Sequence, residues 1–260
     1  MVRGRTVKVL ATRQSGSDTK RDPAELIAEE PLTIHRDGEI VATTMRTPGH
    51  DFELAVGFLH SEGALDGTNL VTVRYCGTGS AVETEFNVVT VDTTGGGPDI
   101  AARLQTVSSS CGLCGSEAIG DLRARLGLLP SGPSWHADVL AQLGEAVRAQ
   151  QPLFDATGSV HAAAAFDTAG NLMVVREDIG RHNAVDKVAG TLRLEGSLPA
   201  TNLGLFISGR ASFEMVQKAW ASGFSILVSV SGPSALAVSA ANSAGLTLVG
   251  FARGDSMTWY

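Results

Sequence analysis

The stretch Leu203–Phe251, LGLFISGRASFEMVQKAWASGFSILVSVSGPSALAVSAANSAGLTLVGF, decides the fold. Three short apolar runs in it, Leu203–Ser208, Ser225–Val230 and Leu246–Phe251, have the length and branched side chains of buried strands. Between them, Phe213–Ser222 and Ala235–Ala244 carry apolar residues at helical spacing. Strands alternating with helices across turns of glycine and serine predict parallel strands joined by crossover helices.

The pattern extends toward the amino terminus. A helix at Val139–Gln150 leads into strand Val160–Phe166, a turn at Ala169-Gly170-Asn171, strand Leu172–Arg176 and helix His182–Leu194. One β-hairpin followed by three helix–strand units predicts a mostly parallel, layered α/β domain over residues 135–260. Residues 1–107 read as a smaller α+β domain. Its first part, to about Pro31, is polar and irregular, with one strand at Thr6–Thr12. Leu32–Met45 alternates around Asp37-Gly38, a hairpin signal. Asp51–Glu62 is a helix with Asp51 as its cap and Phe52, Leu54, Ala55, Phe58 and Leu59 on one face. Strands Leu70–Tyr75 and Thr84–Asp92 and a short helix at Asp99–Gln105 complete it. Residues 108–134 hold a cysteine-bearing loop, a helix at Glu117–Leu126 and the linker Pro130–Ser134.

Composition narrows the function. The chain has 260 residues, 43% of them hydrophobic, enough for one large core or two modest ones. Its formal net charge of -7 makes it a poor nonspecific partner for nucleic acid or an anionic membrane, and neither partner is expected. No apolar run approaches the ~20 residues needed to cross a bilayer, and Met1–Ala11 lacks the apolar stretch of a secretory signal. Three cysteines, Cys76, Cys111 and Cys114, are too few for a disulfide scaffold and suit a reducing compartment, so a cytoplasmic location is expected.

The most specific local signal is Cys111-Gly-Leu-Cys114 within Thr106–Gly115, a polar stretch of serines and glycines with little to bury. The spacing brings two sulfurs close, as disulfide exchange, metal ligation and persulfide relay all require. A thiolate near the start of the following helix would be stabilised by its free N–H groups, which favours Cys111 as nucleophile. Structural zinc needs four ligands, and neither a second CxxC nor an HxxxH is present, so no metal site is expected. A thioredoxin-like arrangement would place the pair after the first strand of a small domain; here it lies between two domains.

A second signal sits at three turns of the carboxy-terminal domain: Asp178-Ile-Gly-Arg-His-Asn-Ala-Val-Asp-Lys187, Ser208-Gly-Arg-Ala-Ser-Phe-Glu214 and Ser229-Val-Ser-Gly-Pro-Ser234. Each puts small or polar residues at a helix start, two of them directly after a strand, where open α/β sheets bind ligands. Arg181 and Arg210 are the phosphate candidates. A fourth piece, Phe251-Ala-Arg-Gly-Asp-Ser256, leaves the last strand at the same edge. Each turn alone could be ordinary capping, and His182 alone a capping or core histidine. Four at one edge favour a binding site.

The sequence resembles the formate dehydrogenase accessory sulfurtransferase family FdhD. The resemblance is carried by Ser108-Ser-Ser-Cys-Gly-Leu-Cys-Gly115, Thr157-Gly-Ser-Val-His-Ala-Ala163, Arg176–Lys187, Ser208–Met215 and Thr247–Arg253. Arg46-Thr-Pro48 and Glu53–Gly63 extend it into the first domain. Ser159 departs from the pattern, where a second glycine is expected. The resemblance implies a cytidine deaminase-like three-layer carboxy-terminal domain and a sulfur carrier. A cysteine desulfurase would load Cys111 with a persulfide, and Cys114 would assist or resolve the relay. The acceptor would be the molybdenum (or tungsten) bis-guanine-dinucleotide cofactor, molybdenum bis(molybdopterin guanine dinucleotide), bound as substrate and destined for formate dehydrogenase. The turn Phe251, Ala252, Arg253, Gly254, Asp255 and Ser256 would bind its guanine dinucleotide, with Arg181, His182, Asn183, Ser208 and Arg210. GDP would be a simple mimic, and a homodimer is implied. The alternative is a cofactor-binding chaperone whose cysteines only clamp the ligand. Deaminase chemistry fails on its own motif. The helix starts His182-Asn183-Ala184 and Ser208-Gly209-Arg210 lack the catalytic Glu and the cysteine pair.

Overall fold

The computed structural model describes residues 4–76, 80–95, 97–98 and 115–260. The protein is a mixed α/β chain with three sheets among the described residues. A two-stranded ribbon, β1 (Thr6–Ser15) and β2 (Asp18–Ile27), is antiparallel from Thr6↔Ile27 to Ser15↔Asp18. The second strand is a correction to the irregular segment expected there. It contains Pro23 and little apolar sequence, so the usual strand signals are weak. Both strands are largely exposed, including Val7, Leu10 and Leu26.

A four-stranded sheet follows, in the order β4-β3-β6-β5, from β3 (Glu30–Arg36), β4 (Glu39–Arg46), β5 (Leu70–Tyr75) and β6 (Val88–Thr93). The hairpin turn is the expected one: Asp37 and Gly38 both have positive φ, 52° and 90°, as a two-residue hairpin loop requires. Helix α1 (Asp51–Ser61) packs Leu54, Ala55 and Leu59 with Leu32, Ile34, Val89 and Val91 of the sheet. Its cap differs from expectation. His50, at φ 57°, precedes the helix, and Asp51 begins it. The Asp51 carboxylate is drawn away by fully buried Arg46, whose Nε and Nη2 donate to its two oxygens at 3.0 Å each. Tyr75 donates to the same carboxylate at 3.2 Å, and burial with the nearby Asp51 charge pushes the Tyr75 phenol pKa up. A fixed bidentate ion pair outcompetes capping here. The short helix expected at Asp99–Gln105 lies outside the described residues.

The six-stranded sheet has the order β12-β11-β10-β9-β7-β8. Its strands are β7 (His161–Phe166), β8 (Leu172–Asp178), β9 (Gly204–Ile207), β10 (Ile226–Ser229), β11 (Thr247–Arg253) and β12 (Ser256–Trp259). β9, β10 and β11 run parallel, as expected. β7 is antiparallel to both β8 and β9, and β12 is antiparallel to β11. The sheet is therefore parallel only at its centre, and β12 is a strand where the sequence reading ended in a turn.

Alternate strand residues feed two cores. Ala163, Ala165, Leu205, Ile207, Leu227 and Leu248 face α5 (Arg181–Leu194), α6 (Phe213–Ala221) and α7 (Ala235–Ala244). Ile119, Leu122 and Leu126 of α2 (Gly115–Leu126) border that core. Ala162, Ala164, Phe166, Phe206, Ile226, Val228 and Val249 face Leu140, Leu143 and Val147 of α3 (Ala137–Arg148). Burial on both faces explains why these strands read as continuous apolar runs. A short helix, α4 (Pro152–Thr157), was not foreseen. Glu177 accepts from the N–H groups of Leu153 and Phe154 at 3.0 and 2.9 Å and so caps it from β8. No helix among the described residues is long and apolar enough to cross a membrane.

The two larger sheets are joined through α1 and α5, which cross at Gly57 and Gly190. Buried charge fixes the crossing. Lys218 of α6 donates to both oxygens of Asp186 at 2.8 and 2.9 Å, and Ser61 of α1 donates to Asp186 at 3.0 Å. Exposed Arg123 and partly buried Arg125 reach the Ser243 and Ser61 carbonyls.

Candidate functional site

The carboxyl ends of β8, β9, β10 and β11 and the start of β7 come together along one edge. His161 opposes Asp178 across β7 and β8. Ser208 closes β9 against β7: its N–H donates to the Ala162 carbonyl and its Oγ accepts from the Ala162 N–H, both at 2.9 Å. Gly209 sits where α5 starts; a methyl group there would meet His161 Nδ1 at 3.5 Å and Arg181 Cδ at 3.7 Å. Ser229, ending β10, donates to the Gly209 carbonyl at 2.6 Å. Phe251 N–H donates to the Ser231 carbonyl at 3.1 Å, and a methyl on Gly232 would lie 2.6 Å from the Phe251 ring. Arg253 Nε donates to the Val230 carbonyl at 3.0 Å. The contacts run unbroken from Arg181 through Gly209, Ser229 and Ser231 to Phe251. All four turns singled out in the sequence therefore share one edge.

The side chains there differ in what they have free. Phe251 is 47% exposed and holds φ 54°, a left-handed backbone unusual for an aromatic residue. Arg210, Arg253, Gly254, Asp255 and Ser256 are exposed, and Arg181 is partly so. Ala252 points the other way, into the core beside α3. Its part at the edge is limited to its backbone. Ser208 is occupied by Ala162 and stands 3.4 Å from His161 Nδ1. His182 Nε2 lies 2.5 Å from Glu214 Oε2, and this bond holds the Glu214 carboxyl below its ordinary range.

Asn183 is the candidate least free to bind anything. Its Nδ2 donates to the Met45 carbonyl at 2.7 Å and to Asp178 Oδ1 at 3.1 Å, and its Oδ1 accepts from Thr44 Oγ1 at 3.3 Å. Its amide is spent tying β4 to the turn before α5. Asp178, ending β8, and Lys187, within α5, flank that turn, both fully buried and 2.7 Å apart. The Lys187 ammonium also donates to the Thr47 carbonyl at 2.9 Å and that of Glu177 at 3.4 Å. Burial pushes its pKa down against the pull of Asp178.

Sequence reasoning missed His161 and Glu214 as site residues. Both stand in the quoted stretches, but nothing in their spacing shows that β7 delivers His161 beside Arg181. Burial lowers the His161 pKa, and the positive charge of Arg181 and His182 adds to the effect. An imidazole held neutral beside an arginine offers an acceptor as well as a donor to an incoming ligand. Cys111 and Cys114 lie outside the described residues. Among the described residues no three His, Cys, Asp or Glu side chains converge as a metal site. Taken together, the edge offers an exposed aromatic ring, four backbone turns, and Arg181, Arg210 and Arg253, which suits a planar, anionic ligand.

The fold is shared with a crystal structure from Desulfotalea psychrophila that is provisionally described as a formate dehydrogenase accessory protein. The TM-score is 0.76 at 22% identity, over 98% of this chain and 96% of that one. Closer in sequence are proteins named sulfur carrier protein FdhD. That of Streptomyces avermitilis is 47% identical over 97% of this chain and 92% of its own length. That of Nocardia farcinica is 46% identical over 97% and 91%, and that of Mycobacterium tuberculosis 44% over 92% and 90%. Residues 27–260, from the end of β2 through both larger sheets to the last residue, match the FdhD/NarQ family model, and the chain belongs to that family.

Proposed function

We propose that this chain is a sulfur carrier in formate dehydrogenase maturation, with Cys111 as the carrying thiol. The observation that carries the reading is the 47% identity, over nearly the whole chain, to a relative named sulfur carrier protein. The chain supplies the dithiol such a role needs, Cys111 and Cys114. In loading, the Cys111 thiolate attacks the outer sulfur of a cysteine desulfurase persulfide. The new S–S bond forms at Cys111 as the donor's breaks, and the donor cysteine leaves as thiolate. In delivery, Cys114 attacks the Cys111 sulfur and the outer sulfur departs as sulfide to the metal of the substrate cofactor. A Cys111–Cys114 disulfide remains, which a cellular dithiol reopens.

The acceptor in this reading is the molybdenum (or tungsten) bis-guanine-dinucleotide cofactor. Phe251 would stack on its guanine, while Arg181, Arg210, Arg253 and the turn N–H groups would take the phosphates. The strand order and the helices on both faces of the six-stranded sheet suit the cytidine deaminase-like layering that the resemblance implies. Formate dehydrogenase, a desulfurase, a homodimeric state and a cytoplasmic location belong to the same proposal.

Intact-protein mass spectrometry after treatment with a desulfurase and cysteine tests it. The expected result is a gain of about 32 Da per sulfur, reversed by dithiothreitol and absent in Cys111→Ala. Unchanged loading of Cys111→Ala would remove Cys111 as carrier. A Cys111→Ala/Cys114→Ala protein that still matures formate dehydrogenase would favour the chaperone role, with the sheet edge as the functional site.

A further inference from the structure

We propose that Lys187 is a positioning residue for anion binding at the sheet edge: with Thr47 it fixes the Asp178–Asn183 turn and cancels the Asp178 charge beneath Arg181 and His182. The inference rests on the reading of that edge as a guanine-nucleotide site and adds a role for residues that touch no ligand.

Asp178 ends β8, with Ile179 and Gly180 between it and α5, and is completely buried. Its Oδ1 accepts from the Gly180 N–H at 2.8 Å and from Asn183 Nδ2 at 3.1 Å, and its Oδ2 accepts from the Thr47 N–H at 3.1 Å. The carboxylate therefore shapes the turn that presents Arg181 and His182. It also puts a negative charge under a site meant for phosphate. Lys187, one helical turn beyond Asn183, answers that charge at 2.7 Å. Its other partners are two carbonyls, those of Thr47 and Glu177. Three acceptors and, among the described residues, no donor around one nitrogen specify the ammonium, which has three protons to give.

Thr47 closes the arrangement from the amino-terminal sheet. Its Oγ1 accepts from the Ile179 N–H at 3.0 Å while its own N–H and carbonyl bind Asp178 and Lys187. The segment following β4 thus holds the turn by three hydrogen bonds, and the first sheet supports a site formed on the second. A charge this deeply buried is poorly screened, so leaving Asp178 unpaired would be felt by an anion at Arg181.

The test is a ligand-charge series measured by calorimetry on the full chain with GMP, GDP and GTP. In Lys187→Met, GDP affinity should fall about tenfold, with a smaller loss for GMP and a larger one for GTP, because the penalty scales with phosphate charge. The uncharged pair Lys187→Met/Asp178→Asn keeps one oxygen to accept from Gly180 and Asn183, gives up the acceptor for the Thr47 N–H, and should recover most of the affinity. It also carries the test if the single variant does not fold. A loss equal for all three nucleotides, or a folded double variant that has lost GDP binding, would make Lys187 a folding residue only and overturn the proposal. Wild-type protein that binds none of the three would instead remove the nucleotide reading of the edge, and this inference with it.

Discussion

Gly57 and Gly190 approach the opposite helix so closely that neither can carry a side chain. A Cβ on Gly57 would lie 1.8 Å from the Asp186 carbonyl oxygen, and one on Gly190 would lie 1.8 Å from that of Glu53. The contact is reciprocal: α1 and α5 cross with each glycine seated on the other's backbone. A methyl group at either position must push the helices apart, and the Ser61–Asp186–Lys218 bonds beside the crossing would stretch with it. Gly190→Ala is expected to cost at least about 3 kcal/mol, the upper range for overpacking, and Gly57→Ala a similar amount. Chemical denaturation with coincident fluorescence and circular dichroism transitions measures both. Wild-type stability for either variant would mean that the helices separate freely there.

His60 gives stability a pH dependence. Its Nε2 donates to the Ala221 carbonyl at 3.1 Å. Burial first, and the Arg193 charge second, lower its pKa from 6.5 to about 4. Because the folded pKa is depressed, the unfolded chain binds the proton more readily. The neutral ring's contribution is complete above pH 6.5 and is lost as pH falls from there to about 4, amounting to roughly 3 kcal/mol. His60→Gln retains an N–H donor but does not titrate. The slope of unfolding free energy against pH in that window should flatten in the variant, and an unchanged slope would exclude His60 as its source.

The legible part of the fold was the part with buried period. β7, β9 and β10 have apolar residues on both faces, so they read as unbroken runs, and α7 was found at Ala235–Ala244 to the residue. β2 was missed because its side chains are largely exposed and polar. Burial leaves its mark on composition only where something is buried. At the edge, turn chemistry located the loops but not which side chains are free. Asn183 was named beside Arg181 on the family resemblance, not on turn chemistry. Its amide is consumed by Met45 and Thr44, residues about 140 positions away whose approach depends on the α1–α5 crossing. Ala252 came with Phe251 as part of the turn that the resemblance implies, and its side chain lies in the core.

Arg46 should be a strong determinant of stability. It is fully buried and binds Asp51 at both oxygens, while its Nη1 donates to Glu30 and its Nη2 also to Asn87, each at 3.3 Å. Arg46→Met removes the cation and leaves Asp51 buried beside Tyr75 with its charge unpaired. A loss of about 3–5 kcal/mol is expected, because breaking a buried pair strands the surviving ion. Arg46→Met/Asp51→Leu removes both charges and should recover a large share. A double variant no more stable than Arg46→Met would show that packing of the arginine stem, not the stranded carboxylate, sets the cost.

Arg210 and Asn183 separate binding from folding. Arg210 is exposed at the β9–α6 turn, so Arg210→Ala should leave the melting temperature within about 1 °C of wild type, as surface substitutions do. On the nucleotide reading of the edge it removes a phosphate partner, and GDP affinity should fall about tenfold, the scale of one charge-assisted hydrogen bond. Asn183→Ala should act in the opposite sense. It strands the Met45 carbonyl and a lone pair of Asp178 in a buried place and should cost about 1–3 kcal/mol in stability. Any loss of GDP affinity should follow from movement of Arg181 and His182. Thermal unfolding and calorimetric titration of the same two preparations decide the matter. If Arg210→Ala binds GDP as wild type does, the phosphates lie elsewhere along the edge, with Arg181 and Arg253 the next to substitute.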